Sequence, residues 1–177
     1  MRQLLLLRHA KSSWDDPKLS DHARPLNARG RQSATTMRRA MHDLGLVPDL
    51  VLVSSARRTL QTLAALEPWD ETPLVEPLDG LYLAPALAML FILNEVAETT
   101  RSVILLGHNP GLHDLAMLLV GETGMTVDSP AIRRLAQGYP TGALTEFTVA
   151  GPWSQLSAGG GRLIRFLAPG DLPEVAA

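Results

Sequence analysis

Three short runs of uninterrupted apolar residues, Leu4 to Leu7, Leu50 to Val53 and Val103 to Leu106, mark the chain, and each stops abruptly at polar residues. Runs of this length predict strands buried on both faces, the environment of a parallel sheet covered by helices. The segments between them carry apolar residues at helical spacing. After Asn27, a suitable N-cap, Ala34, Met37, Met41 and Leu44 recur on one face while Arg31, Arg38 and Arg39 take others, until Gly45 offers a stop. Further helices are predicted from about Ser55 to Leu66 and from about Pro85 to Ala97. A fourth opens at Pro110, which suits the first helical position, and sends Leu112, Leu115, Ala116 and Leu119 inward. Pro73 to Val75 reads as a short strand, and Ala143 to Val149 and Leu163 to Leu167 as two more. The loop joining the last two contains Gly159-Gly160-Gly161, which leads into a strand and not a helix, so it reads as a flexible connection and not a phosphate cradle. Asp171 to Ala177 is expected to be a loosely held terminus. The alternation predicts a three-layer α/β/α sandwich whose central sheet is mainly parallel, with an antiparallel strand at one edge.

With 177 residues the chain suits one domain, taken as residues 1–177. Its net charge of -2 gives no reason to expect nucleic acid or an anionic membrane surface as a partner, so the basic residues need a local explanation. The absence of cysteine excludes disulfides, thiol catalysis and thiolate metal sites, and fits a reducing cytoplasm. The first apolar run is too short for a secretory segment. The longest apolar stretch, Leu81 to Leu93, is interrupted by Pro85 and falls short of the roughly 18 to 20 residues of a membrane helix. Chemistry must come from histidine, arginine and carboxylates.

In open α/β sheets, ligands bind outside the carboxyl ends of the strands. All three apolar runs end in the same kind of residue. The first delivers Arg8-His9, the second leads through Ser54-Ser55-Ala56 to Arg57-Arg58, and the third ends in Gly107-His108-Asn109-Pro110-Gly111. Arginine offers a fork of donors matched to phosphate oxygens, and a neutral imidazole, with an ordinary pKa of about 6.5, is a nucleophile near neutral pH. Any one of these pieces has a bland explanation as a solvated sheet edge or a packing histidine. Three together at neighbouring strand ends point to a shared phosphate site beside helix N-termini that favour anions.

These residues resemble the histidine phosphatase superfamily, also called phosphoglycerate-mutase-like, and within it the SixA-like phosphohistidine phosphatase branch. The likeness rests on LLLLRHAKSSW, RPLNARG from Arg24 to Gly30, LVLVSSARRTLQT, VILLGHNPGL and RFLAPGDLP, in order and at similar spacing, over nearly the whole chain. The resemblance implies that His9 accepts the phosphoryl group while Arg8, Arg58 and His108 hold it. It favours Arg58 over Arg57, because the family's arginine stands three residues before Gln and four before Thr, as Arg58 stands to Gln61 and Thr62. Arg57 then points elsewhere, and Arg24 is as easily a bystander as an extension of the pocket. No cofactor is implied. Neither is a metal: the spacing of His108 and His113 does not suit two ligands on one helical face, and Asp15-Asp16 has no histidine partners. His22, His42 and His113 read as structural or exposed.

The implied reaction is a two-step displacement in which His9 attacks phosphorus and water then hydrolyses the phosphohistidine, with the positive donors stabilising the transferring group. Relatives acting on alcohol esters often use a carboxylate acid, and here only Glu76 and Asp79 are nearby in sequence. An imidazole leaving group needs less protonation than an alkoxide, which favours phosphohistidine as the substrate. Short spacers between the motifs favour an open site and a partner such as a phosphorylated histidine-containing phosphotransfer protein of a signalling relay. The alternatives are a phosphatase of small phosphorylated substrates such as sugar or nucleotide derivatives, using Glu76 or Asp79, and an idle module that binds phosphorylated ligands.

Overall fold

In the computed structural model, which describes residues 1–175, strands and helices alternate as the apolar pattern requires. They are β1 (Arg2–Arg8), α1 (Ala28–Asp43), β2 (Leu50–Ser54), α2 (Arg57–Ala65), β3 (Leu74–Leu78), α3 (Ala86–Asn94), β4 (Ser102–Gly107), α4 (Gly111–Met125), α5 (Pro130–Gln137), β5 (Leu144–Val149) and β6 (Gly161–Leu167). One six-stranded sheet runs in the order β3-β2-β4-β1-β5-β6. The three apolar runs lie side by side within it: β1 pairs with β4, and β4 with β2, all parallel. Among the described residues no helix is long and apolar enough to cross a membrane.

Strand periodicity divides the core in two. Leu4, Leu6, Leu52, Val103 and Leu105 face Met89 and Leu93 of α3, Leu112, Leu115 and Leu119 of α4, and Ile132 and Leu135 of α5. Leu5, Leu7, Val51, Val53, Ile104 and Leu106 face Met37 and Met41 of α1 and Leu63 of α2. Covering both faces with helices makes the three-layer α/β/α sandwich. The antiparallel pairing expected at one edge is made by two strands, β5 against β1 and β6 against β5.

Local chemistry accounts for most element ends. The Asn27 side chain accepts from the Gly30 amide at 2.7 Å and caps α1. Helix α5 was not expected, although its signals are orthodox: Ser129 caps it by accepting from Ile132 N at 3.1 Å, Pro130 opens it, and Gly138 closes it. The helix is only eight residues long, so two buried positions, Ile132 and Leu135, carry its periodicity. β3 runs further than Pro73 to Val75, which puts Glu76 inside an exposed edge strand. Two further segments are held more firmly than composition suggested. The glycine run is fastened to α4 through Gly159 N donating to Leu118 O at 2.9 Å, where α4 bends at Gly121 with φ 70°. The terminus from Asp171 is tied by an ion pair to Arg134 and by Gln32 donating to Val175 O at 2.7 Å; the remainder of that expected loose tail lies outside the described residues.

Two glycines permit close backbone approach beside the strand ends. A Cβ on Gly30 would lie 2.0 Å from Lys11 O, and one on Gly111 would lie 1.9 Å from Ala84 O. Neither contact can relax by moving a side chain. Gly111→Ala should therefore lower stability by about 2 kcal/mol or more, in the range of forced overpacking, whereas Gly151→Ala, which meets nothing within 4 Å, should be near neutral. Urea unfolding of the two variants checks this, and equal midpoints would contradict it.

Candidate active site

Strand register decides which side chains meet. Arg8 at the end of β1 lies opposite Gly107 at the end of β4, and the next residue of each strand is a histidine. His9 N donates to Gly107 O at 3.2 Å, and the rings of His9 and His108 stand 5.3 Å apart, tilted by 54°. The end of β2 adds Ser54, whose Oγ is 2.7 Å from His108 Nε2. Both histidines are buried.

The tautomer of His9 follows from its partner. Nδ1 lies 2.7 Å from Ala10 O, and a carbonyl oxygen only accepts, so Nδ1 carries the proton and Nε2 the free lone pair. The backbone at this point is fixed by α2: Ala10 N donates to Thr62 Oγ1 at 3.0 Å, and that hydroxyl donates to Arg58 O at 2.7 Å. Gln61, from the same turn, accepts from Leu26 N at 2.8 Å. The one helical turn that presents Arg58 thus also anchors the segments on either side of it.

The arginines are held from the rear. Arg8 donates to Tyr139 O at 2.8 Å, and Asn109 Nδ2 donates to the same carbonyl at 2.9 Å. Tyr139 follows α5, and α5 is fastened to α4 through His113 Nε2 donating to Leu135 O at 2.7 Å. Arg58 donates to Asp21 O at 2.8 Å and to Asp21 Oδ2 at 3.0 Å, while Arg24 donates to Asp21 Oδ1 at 2.9 Å. Tyr82 OH also donates to Asp21 Oδ2, and its ring meets His108 edge-on at 5.5 Å. Arg24 further bonds Ser12 Oγ and Ser13 O and carries the exposed Trp14 ring stacked on its guanidinium.

His9, Arg8, Arg58 and His108 therefore come together as the strand ends suggested. Arg24 joins them in the buried cluster, bonded to the same carboxylate as Arg58. Arg57 points away, exposed, with NH1 at 3.4 Å from Ala23 O. Glu76 and Asp79 are exposed and make no hydrogen bond to these groups; the carboxylate among the arginines is Asp21, which sequence reading passed over. Its signal was Ser20-Asp21-His22 just before Arg24, a cap followed by an acid in a segment otherwise read as a loop. His22 stands exposed at the rim, bonded to Ser55 Oγ at 3.0 Å and edge-on to Tyr82. His42 lies on the surface near Asp43 and Asp70. Among the described residues no three His, Asp or Glu side chains are grouped to hold a metal. A cavity of about 770 Å³ between α4, α5 and β6 contains none of the clustered groups, so size alone does not mark the site.

Residues 4–79 match the family model of the histidine phosphatase superfamily, branch 1. A protein of Agrobacterium tumefaciens assigned as phosphohistidine phosphatase SixA has a structure similar to this one, with TM-score 0.80 and 30% identity over 95% of this chain and 98% of that one. The chain belongs to the histidine phosphatase superfamily, in its SixA-like branch. A second structure, of a protein assigned as SixA from Nakamurella multipartitia, matches with TM-score 0.82 and 28% identity over 95% of this chain and 96% of that one. A chloroplastic protein of Arabidopsis thaliana is 31% identical over 95% of this chain and 78% of its own.

In this SixA-like phosphatase the cluster is rich in buried hydrogen-bond donors. Two guanidiniums, those of Arg24 and Arg58, bond a single carboxylate, Asp21, while Arg8 Nε and His108 Nδ1 are buried without a partner. Ser54 Oγ accepts from Ala56 N at 3.3 Å and its O–H is free to donate to His108 Nε2; in the tautomer that takes this bond, Nδ1 is a spare N–H donor. Burial, reinforced by Arg58 and Arg8, pushes His9 down to about 4. Burial and then His9 itself push His108 down to about 3. Tyr82, Arg24 and Arg58 hold the Asp21 carboxyl well below its ordinary range. At neutral pH both imidazoles are uncharged and Asp21 is ionised.

A stability consequence follows from the histidines. Unfolded imidazoles take up protons at about 6.5, while these two resist protonation until well below pH 5, so the unfolded chain binds more protons between those limits. Stability is full above pH 7 and falls as pH drops below 6.5. Urea midpoints should decline from pH 7 to pH 5, above most carboxylate titration, and decline less steeply in His9→Asn and His108→Asn. An unchanged slope in both variants would show that neither ring is held neutral.

Proposed function

We propose that this phosphatase removes phosphoryl groups from phosphohistidine on other proteins, through a phosphohistidine intermediate on His9. The carrying observation is the state of His9: a buried, uncharged ring whose Nδ1–H is spent on Ala10 O, so that Nε2 alone offers a lone pair beside the arginines. Nε2 attacks the phosphorus of a substrate phosphohistidine protonated on its other ring nitrogen, a P–N bond forms to His9, and the bond to the substrate ring breaks as that ring departs as neutral imidazole. Because Nδ1 keeps its proton, the ring of phosphorylated His9 is an imidazolium that carries the anionic phosphoryl group. Water then attacks phosphorus, the P–N bond breaks, His9 departs as a neutral imidazole, and one proton of the water passes to solvent. Arg8, Arg58 and the spare N–H of His108 face the charge that spreads over the phosphoryl oxygens, the effect expected to supply most of the acceleration.

The substrate class is inferred from what the site can protonate. Asp21, the carboxylate nearest the reacting groups, is ionised and engaged by three donors, so it has no proton to give an alkoxide. An imidazole leaving group asks for little protonation near neutral pH. The connections at the strand ends also favour a large partner: β2 reaches α2 through Ser55 and Ala56 alone, and β4 reaches α4 through three residues, His108 to Pro110. A phosphotransfer protein of a cytoplasmic signalling relay fits such a mouth, and relatives assigned as SixA carry the name phosphohistidine phosphatase.

Wild-type enzyme mixed with a ³²P-phosphohistidine protein and quenched at alkaline pH should carry label on His9, and His9→Ala should neither label nor turn over. Label elsewhere, or a competent His9→Ala, would overturn the mechanism. Arg58→Ala should lower kcat by about a hundredfold, as loss of one oxyanion donor does in other enzymes. Side by side, phosphohistidine protein should exceed sugar phosphates and nucleotides in kcat/KM; a strong preference for esters would replace the substrate while leaving the His9 chemistry intact.

A further inference from the structure

The clustered arginines raise a question that the displacement itself does not answer, namely why a carboxylate sits among groups that must bind an anion. Asp21 engages more of the site than any other side chain. Both terminal nitrogens of Arg58 end on it, NH1 on the main-chain oxygen at 2.8 Å and NH2 on Oδ2 at 3.0 Å. Its other carboxylate oxygen takes Arg24 NH1 at 2.9 Å. Tyr82 OH donates to Oδ2 from the turn that follows β3. Asp21 is itself fixed at the start of a three-residue turn, Asp21–Ala23, capped by Ser20 Oγ accepting from Ala23 N at 3.3 Å.

We propose that Asp21 is the positioning residue of this site: it fixes the plane of the Arg58 fork and offsets one unit of the arginine charge, so that the phosphoryl is bound in a set orientation and inorganic phosphate is released. The inference rests on the phosphatase reading given above. Arg58 is 3% exposed and carries five N–H donors, of which Asp21 takes two, leaving the others for the phosphoryl oxygens. A guanidinium immobilised before substrate arrives loses no orientational freedom at the transition state. The charge argument is separate. With Asp21 ionised, a phosphoryl dianion brings Arg8, Arg24 and Arg58 to neutrality, and without it the same dianion leaves an excess positive charge that holds product more tightly. Every donor reaching the carboxylate does so as to an acceptor, which is a bond pattern suited to orientation and not to proton delivery.

Asp21→Asn keeps the size and removes the charge. It should lower kcat by about tenfold or more while KM for a phosphohistidine protein stays level or falls, and inorganic phosphate should bind several-fold more tightly by titration calorimetry. Every limb that the wild-type kcat pH profile shows should remain in the variant, and Asp21→Glu should restore the phosphate affinity towards wild type. Wild-type kinetics and wild-type phosphate binding in Asp21→Asn would overturn the proposal. So would weaker phosphate binding with a proportional rise in KM, the pattern of a merely misfolded pocket, or loss of the basic limb, the pattern of a missing acid. Phosphate binding needs no turnover, so it tests Asp21 even if wild type fails on phosphohistidine, a result that would instead sink the functional reading.

Discussion

The parallel register of β1 with β4 is the constraint on which the site depends. Pairing Arg8 with Gly107 places His9 beside His108, and a slip of one residue would send one of the rings into the opposite helix layer. The register is fixed by burial on both faces. Leu4 and Leu6 belong to one core and Leu5 and Leu7 to the other, and the four lie opposite Val103 to Leu106, so a slip would draw Gln3 or Arg8 into the apolar layer. The apolar run that makes the strand is thus also what aims the imidazole.

The electrostatics of the site have the same origin. Burying two imidazoles next to guanidiniums favours their neutral forms, which costs nothing at neutral pH and preserves the lone pair on His9. Burying the guanidiniums is harder, and the protein meets that cost with acceptors: Tyr139 O for Arg8, Asp21 for Arg58, and Ser12, Ser13 and Asp21 for Arg24. Each acceptor binds the rear of a fork and leaves donors for an oxyanion. Preorganisation of this kind lowers the reorganisation needed when phosphorus is attacked.

The sheet, its helices and the four central residues were legible because each is signalled locally, by an apolar run, a cap or a polar residue at a strand end. Arg58 was separable from Arg57 through Gln61 and Thr62, and Thr62 does share its face, bonded back to Arg58 O one turn away. Asp21 was not legible. It lies in a segment without periodicity, and its importance comes from contacts with α2 and with Tyr82 that no spacing encodes. Glu76 drew attention as a carboxylate near a strand end, but β3 continues to Leu78, so the residue sits mid-strand on an exposed edge. Helix α5 was missed because it is only eight residues long, so its two buried positions do not repeat over further turns, even though its cap and its stop were in plain sight.

That short helix also shows why the site cannot be assigned to the first half of the chain alone. The family model matches residues 4–79, which supply His9, Asp21, Arg24 and Arg58. His108 and the carbonyl that anchors Arg8 come from beyond it. Tyr139 is brought under β1 by its phenol donating to Leu6 O at 2.6 Å, and its own carbonyl then receives both Arg8 and Asn109. Its buried hydroxyl therefore fastens the end of α5 to the strand that leads into His9, joining Arg8, β1 and the loop after β4 at a single residue. A cluster closed through β4 and Tyr139 forms only when the long-range pairings of β1 are complete, so the proposed phosphate site is a property of the whole sheet and not of the motif at its start.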